Sequence, residues 1–284
     1  MALIELMKKE MLRRNYSLKT IESYKFCISK FLKQIKKEPK QVTKKDIKDF
    51  LDELIEKGKS GNTINVYLNA LKFVFEKLLG KKMKVNIKYA KKPLRLPSVL
   101  EKEEVIRLFG FVNNKKHKLM LQLMYSAGLR VSELLNLKVE DIRLYDRWKA
   151  FEKRQGGFGF VRQGKGRKDR IFIIAERLNP EIKELIGKER LNENAFLFQS
   201  NRKKQYSTRT VQEIIKKAKI RAKIDKKISP HTLRHSFATH LIENGYDLFS
   251  VQSLLGHKSP ETTMVYIHLA APNLINIKSP FDSL

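Results

Sequence analysis

Six residues of this 284-residue chain are of the types needed to break and remake a phosphodiester without a metal: Arg130, Lys165, His231, Arg234, His257 and Tyr266. A phenol can supply the nucleophile, two guanidiniums can hold the oxygens of a five-coordinate phosphorus, and imidazole and ammonium groups can move protons. Each lies in a patterned stretch: Arg130 in GLRVSEL, Lys165 in GKGRKDR, His231 and Arg234 in SPHTLRHSFATHL, His257 in LLGHKSP and Tyr266 in TTMVYIH. Singly, each also has a bland reading. Arg130 follows Gly128 at a predicted helix start, where free amides suit an oxyanion, yet the same letters fit a surface arginine. Glu133, three residues on, either orients that guanidinium or forms an ordinary helix pair worth about 0.2–0.5 kcal/mol. Lys165 falls at a hairpin tip between Gly164 and Gly166, placed to protonate a departing 5′-oxygen, and Lys168 competes for that role. GKGRK lacks the G-x-x-x-x-G-K-[ST] spacing of a phosphate loop, so ATP chemistry is not supported.

His231 and Arg234 are three apart at the start of a predicted helix, beside its positive end, where a phosphate is favoured. His231, His235 and His240 invite a zinc reading. No Glu follows His231, His240 is five residues beyond His235, and the chain has one cysteine, so no metal and no cofactor are expected. His235 and His240 read instead as core or supporting groups.

The elements that must position these residues follow from hydrophobic period. After a short N-terminal helix, three amphipathic helices fill the first eighty residues: one capped by Ser17, one begun by Thr43 and Asp46 and stopped by Gly58, one running from about Asn62 to Gly80. Residues 1–81 are therefore expected to form a helical domain, 82–98 a basic linker with two prolines, and 99–284 a second domain with a short C-terminal tail. In that second part helices are expected at about 101–112, 115–127 and 131–136. Three extended stretches follow, WKAFEK, FGFVRQ and RIFIIA, then helices over 179–190 and 207–224, one from Ser229–Pro230 to Gly245, and one from Ser259–Pro260 that carries Tyr266. The fold class is mainly α with a small antiparallel β-sheet.

Charge supplies the partner. With 60 Lys and Arg against 30 Asp and Glu the formal charge is +30, a self-repulsion that makes sense chiefly beside a polyanion. The excess is not a tail: residues 1–98 hold 25 basic and 10 acidic side chains and residues 99–284 hold 35 and 20, an excess of fifteen in each. Double-stranded DNA gripped from two sides is the expected partner. Cys27, alone in an apolar helical repeat, reads as a buried small hydrophobe in a reducing compartment. No long apolar run appears, so a cytoplasmic location without membrane contact is expected.

The quoted stretches, with 23 residues from Arg234 to His257 and nine from there to Tyr266, resemble the catalytic signature of the tyrosine recombinase (phage integrase) family, particularly its Xer-like branch. The similarity spans about residues 99–270, and the N-terminal helices resemble the family's SAM-like core-binding domain, with an α/β integrase catalytic domain after it. By that resemblance the six residues match the catalytic set position for position. It implies site-specific strand exchange through a 3′-phosphotyrosyl intermediate and a Holliday junction, by a homotetramer on two DNA sites. Arg130 and Arg234 would bind the non-bridging oxygens, His231 would accept the tyrosine proton, His257 would hydrogen-bond the phosphoryl oxygen, and Lys165 would protonate the leaving 5′-hydroxyl. On the residues alone two other functions stay open: a type IB topoisomerase-like relaxase, and a non-catalytic architectural DNA-binding protein. Two features depart from the family's pattern. The stretch RLYDRWKAFEKRQGGFGFVRQ is long for the approach to Lys165, and only eighteen residues follow Tyr266, so contact between protomers would fall to Leu274, Ile275, Ile277 and Phe281.

Overall fold

The computed structural model describes residues 2–81, 97–144, 157–162 and 169–256. The chain divides into two compact units, Met1–Arg95 and Leu96–Leu284. Most of the expected linker lies outside the described residues.

Unit one is helical: α1 (Ala2–Arg13), α2 (Leu18–Ile35), α3 (Lys44–Glu56) and α4 (Gly61–Lys72), the last running on into a π-helical turn, Phe73–Leu78. Side-chain caps start three of them. Ser17 accepts from the Thr20 amide, Ser60 from the Thr63 amide, and Thr43 with Asp46 closes a reciprocal capping box. Gly58 and Gly80 lie at positive φ where α3 and the π turn end. The buried stripes meet in a core of Phe31, Phe50, Tyr67 and Phe75, whose rings stack edge to face with centroids 5.1–5.7 Å apart. Cys27 is buried among them, and burial pushes its thiol pKa up to about 11, so it is an inert apolar filler.

Unit two combines helices with one three-stranded sheet. Its helices are α5 (Lys102–Gly110), α6 (Lys115–Ser126), α7 (Val131–Asn136), α8 (Asn179–Glu189), α9 (Thr208–Arg221), α10 (Pro230–Glu243) and α11 (Leu248–Leu255). The antiparallel sheet runs β1 (Ile142–Leu144), β2 (Gly157–Val161), β3 (Arg170–Ile174) in that order. The stretch WKAFEK lies outside the described residues. The first strand found is IRL, a three-residue run too short to show a period. Gly159 pairs with Phe172, and a Cβ on Gly159 would meet the Phe172 ring at 2.3 Å, so that ring lies across the sheet where the glycine leaves room.

At the centre stands α10, buried on nearly every side from Thr232 to His240. Such a helix cannot show an amphipathic stripe; it packs against α6, α9 and α11 at once. Among the described residues no helix is long and apolar enough to cross a membrane.

Candidate active site

The turn after α6 builds the first part of the site. Gly128 adopts φ +56°, its amide donating to Tyr125 O and the Leu129 amide to Met124 O, each at 3.1 Å. This left-handed stop lets the chain reverse and begin α7 three residues later, with Arg130 in extended conformation at its cap. A Cβ at Gly128 would stand 2.5 Å from the Phe237 ring. We therefore expect Gly128→Ala to lower the unfolding free energy by about 1–3 kcal/mol, read from the denaturant midpoint. A change below a few tenths would mean that Phe237 yields and the close approach is incidental.

Glu133, in the first turn of α7, collects three guanidiniums. Its carboxylate accepts from the Arg130 amide at 2.8 Å and from Arg130 Nη1 at 2.5 Å, from Arg170 Nη2 at 2.7 Å, and lies 3.6 Å from Arg234 Nη1. With 5% side-chain exposure it is a buried charge, tolerable only because it is paired several times over. Burial pushes its carboxyl upward, but the Arg170 charge and the hydrogen bonds from Arg130 and Arg170 outweigh that, and the net shift is downward. Glu133 therefore stays ionised.

Arg234 is the most deeply buried of the three arginines. It is 3% exposed, and its Nη1 donates to Gly128 O at 2.6 Å and its Nη2 to Leu255 O. The turn before α7 and the end of α11 are thus tied to α10 by one side chain. Arg130, at 19% side-chain exposure, is the more open of the two arginines expected to hold phosphate.

Arg170, the first residue of β3, belongs to this cluster and was not among the candidate residues. Besides Glu133 it binds Leu254 O through Nη1. Burial disfavours its charged form, and Glu133 opposes that. Its signal was present in the sequence. In RIFII the inward residues are Phe172 and Ile174, and the two-residue period puts Arg170 on the same face, where a charged group needs a buried acid. Gly256 caps α11 at φ +62°, and a Cβ there would meet Arg170 Cδ at 2.7 Å. The glycine of LLGH therefore serves a close approach as well as a helix stop.

The α10 histidines differ in setting. Ser229 and Thr232 cap the helix reciprocally, Pro230 occupies its first position, and His231 is exposed one residue later. The His231 and His235 rings are 6.4 Å apart. Desolvation, with the charges of His231 and Arg234, holds the His235 pKa down at about 4, so His235 is neutral at physiological pH. His240 is buried, its Nδ1 2.7 Å from the Tyr125 hydroxyl. Lys165, Lys168, His257 and Tyr266 lie outside the described residues, as do Leu274, Ile275, Ile277 and Phe281. What the structure brings together is Arg130, Arg234 and the unexpected Arg170 around Glu133, with His231 at the start of the helix that carries Arg234.

Two family profiles match the chain: "Phage integrase family" over residues 98–272, and "Phage integrase, N-terminal SAM-like domain" over residues 3–85. The tyrosine recombinase XerA of Pyrococcus horikoshii is 39% identical over 263 residues, covering 91% of this chain and 86% of that relative. Tyrosine recombinase XerD of Oceanobacillus iheyensis is 34% identical over 284 residues, covering 93% and 92%. Of solved structures, the crystal structure of XerA recombinase aligns with a TM-score of 0.54 at 30% identity, over 96% of this chain and 95% of that one. XerH site-specific recombinase bound to palindromic difH substrate, a post-cleavage complex, aligns with a TM-score of 0.75 at 24% identity, over 92% and 79%. The XerH likeness is one of fold.

Proposed function

The chain belongs to the phage integrase family and is an Xer-like tyrosine recombinase, a DNA-binding enzyme that cuts and rejoins DNA, and from that premise we propose the chemistry of its site. Tyr266 attacks a backbone phosphorus of double-stranded DNA. The Tyr266 Oη–P bond forms as the P–O5′ bond breaks, the phenolic proton passes to His231, and Lys165 gives a proton to the departing 5′-oxygen. The product is a 3′-phosphotyrosyl ester with the bond energy kept. A 5′-hydroxyl from the partner duplex reverses the step, so neither ATP nor metal enters the balance. His257 donates to a phosphoryl oxygen. Two rounds of exchange pass through a Holliday junction, which calls for four copies of the chain on two sites, acting in the cytoplasm.

The arrangement around Glu133 supports this reading most directly. Three guanidiniums and one carboxylate leave two net positive charges in a largely buried cluster, fixed before any phosphate arrives. Preorganised charge of this kind favours the more negative transition state over the ground state, because no dipoles need reorient during reaction. Arg130, the most open of the three, takes a non-bridging oxygen, with Arg234 behind it.

The test uses a duplex nicked close to the cleavage site, so that the cut fragment diffuses away and the covalent complex accumulates. Proteolysis and mass spectrometry should find the nucleotide on the peptide containing Tyr266, joined through a 3′-phosphate. Attachment at another residue, a 5′ linkage, or specific binding with no adduct would each overturn the assignment.

A further inference from the structure

The stretch that carries Lys165 is flanked on each side by an arginine held by a buried carboxylate. Val161 of β2 pairs with Arg170 of β3, and residues 163–168 between them, Lys165 and Lys168 included, lie outside the described residues. Arg162 Nε donates to Asp141 Oδ1 at 2.7 Å, and Arg170 Nη2 to Glu133 Oε2 at 2.7 Å. The two pairs are nested. Glu133 and Asp141 are eight residues apart in the segment that Arg130 opens, and Arg162 and Arg170 are eight apart across the turn. Asp141 is itself fixed, accepting from the Lys138 amide at 3.0 Å.

The two holds differ in strength. The Arg162 side chain is 58% exposed, so water competes for its bond to Asp141. That of Arg170 is 8% exposed and bridges Glu133 and Leu254 O, its Cδ passing close over Gly256. Neutralising Glu133 does not require it. Arg130 and Arg234 already outnumber that carboxylate, and burying one more cation is unfavourable unless its geometry is used. A planar fork that engages a carboxylate and a backbone carbonyl at once fixes position as a point charge does not.

We propose that Arg170 is a positioning residue for the proton donor carried by residues 163–168: by bridging Glu133 and Leu254 O it fixes the strand end next to that stretch, while Arg162 steadies the other arm. The inference rests on the cleavage reaction given above and adds to it the group that aims its acid. In the natural step the donor's proton goes to O5′ as the P–O5′ bond breaks. With sulfur at that bridging position the leaving group departs as a thiolate and needs no proton. A defect confined to aiming the donor therefore disappears on the sulfur duplex, whereas a defect in holding the phosphate persists on both.

The experiment measures single-turnover formation of the covalent complex by the full-length protein on nicked duplexes with oxygen or sulfur at the bridging 5′ position, with melting temperatures taken alongside. Arg170→Met should cleave the oxygen duplex about 10²-fold more slowly than wild type, and the sulfur duplex within about threefold of it. Arg170→Lys keeps the charge but not the fork, and should show the same contrast. Arg162→Ala should lose about two- to fivefold, on oxygen alone. Arg130→Ala, which removes a phosphate-holding group, should be slow on both. Equal losses on the two duplexes in the Arg170 variants would overturn the proposal, as would wild-type cleavage of the oxygen duplex by either. Should Arg170→Met fail to fold, Arg170→Lys decides on the same terms. Lys165→Ala separates this inference from the reading beneath it. Rescue by sulfur of Arg170→Met but not of Lys165→Ala would transfer the donor's role to Lys168 and keep that of Arg170; rescue of Lys165→Ala alone would keep the donor and remove Arg170.

Discussion

Tyr266→Phe is expected to bind its DNA as wild type does and to form no covalent complex. The substitution removes one oxygen. Binding draws on many phosphate contacts from a chain of charge +30, so losing a neutral hydroxyl changes affinity little. Chemistry has no such redundancy, because without that oxygen no atom is left to bond to phosphorus. Strand cleavage should fall by about 10⁴ or more, the range seen when an enzyme loses its nucleophile. Denaturing gels of a nicked substrate measure the adduct, and gel retardation measures the binding. Persistence of the adduct at wild-type yield would remove Tyr266 from the mechanism. Equal loss of binding and cleavage would make the residue structural. The experiment also separates a recombinase from an architectural binder, for which the substitution is silent in every assay.

The helices of unit one were legible in the sequence because their burial is one-sided. The buried Ile21, Ile28 and Phe31 at helical spacing in α2, or the Thr43–Asp46 box opening α3, are local signals and need no knowledge of the rest of the chain, although the apolar Phe26 of α2 stands 64% exposed. The turn at Gly128 and the start of α10 at Ser229–Pro230 were legible for the same reason: cap chemistry lies within four residues. The Glu133 cluster was not, because its members sit at 130, 133, 170 and 234, with backbone acceptors at 128, 254 and 255. No local period relates them; only tertiary packing does. The choice for Glu133 between orienting a guanidinium and forming an ordinary pair depended on its burial, which the sequence does not print. Arg170 stands beside the lysines of GKGRKDR, and only strand parity with the buried Phe172 and Ile174 marks it as inward.

Glu133→Gln keeps size and shape while deleting the carboxylate that Arg130, Arg170 and Arg234 share. The net charge of the cluster rises from two to three in a buried place. Removing one member of a buried ionic group costs about 3–5 kcal/mol, because the remaining charges lose their counter-ion without regaining water. The unfolding free energy should drop by that amount. The pH dependence has a definite sign. A carboxyl whose pKa is lower in the folded state stabilises fully above its unfolded value near ~4.3, and that contribution disappears as pH falls through the lowered folded value. Wild type should therefore lose stability on acidification by an increment that Glu133→Gln lacks. Adding Arg170→Met returns the cluster to two net charges, so the double variant should be less destabilised than the two single changes summed, by more than the ~0.5 kcal/mol scatter of independent sites. Cleavage should not recover with it. With Glu133 gone, Arg130 is no longer held in register, and a misplacement of about 1 Å is enough to cost about 10²-fold in rate. Strict additivity of the two changes would mean that the three arginines do not share a counter-ion. Recovery of cleavage along with stability would mean that Glu133 acts on the fold alone and leaves the orientation of Arg130 to other contacts.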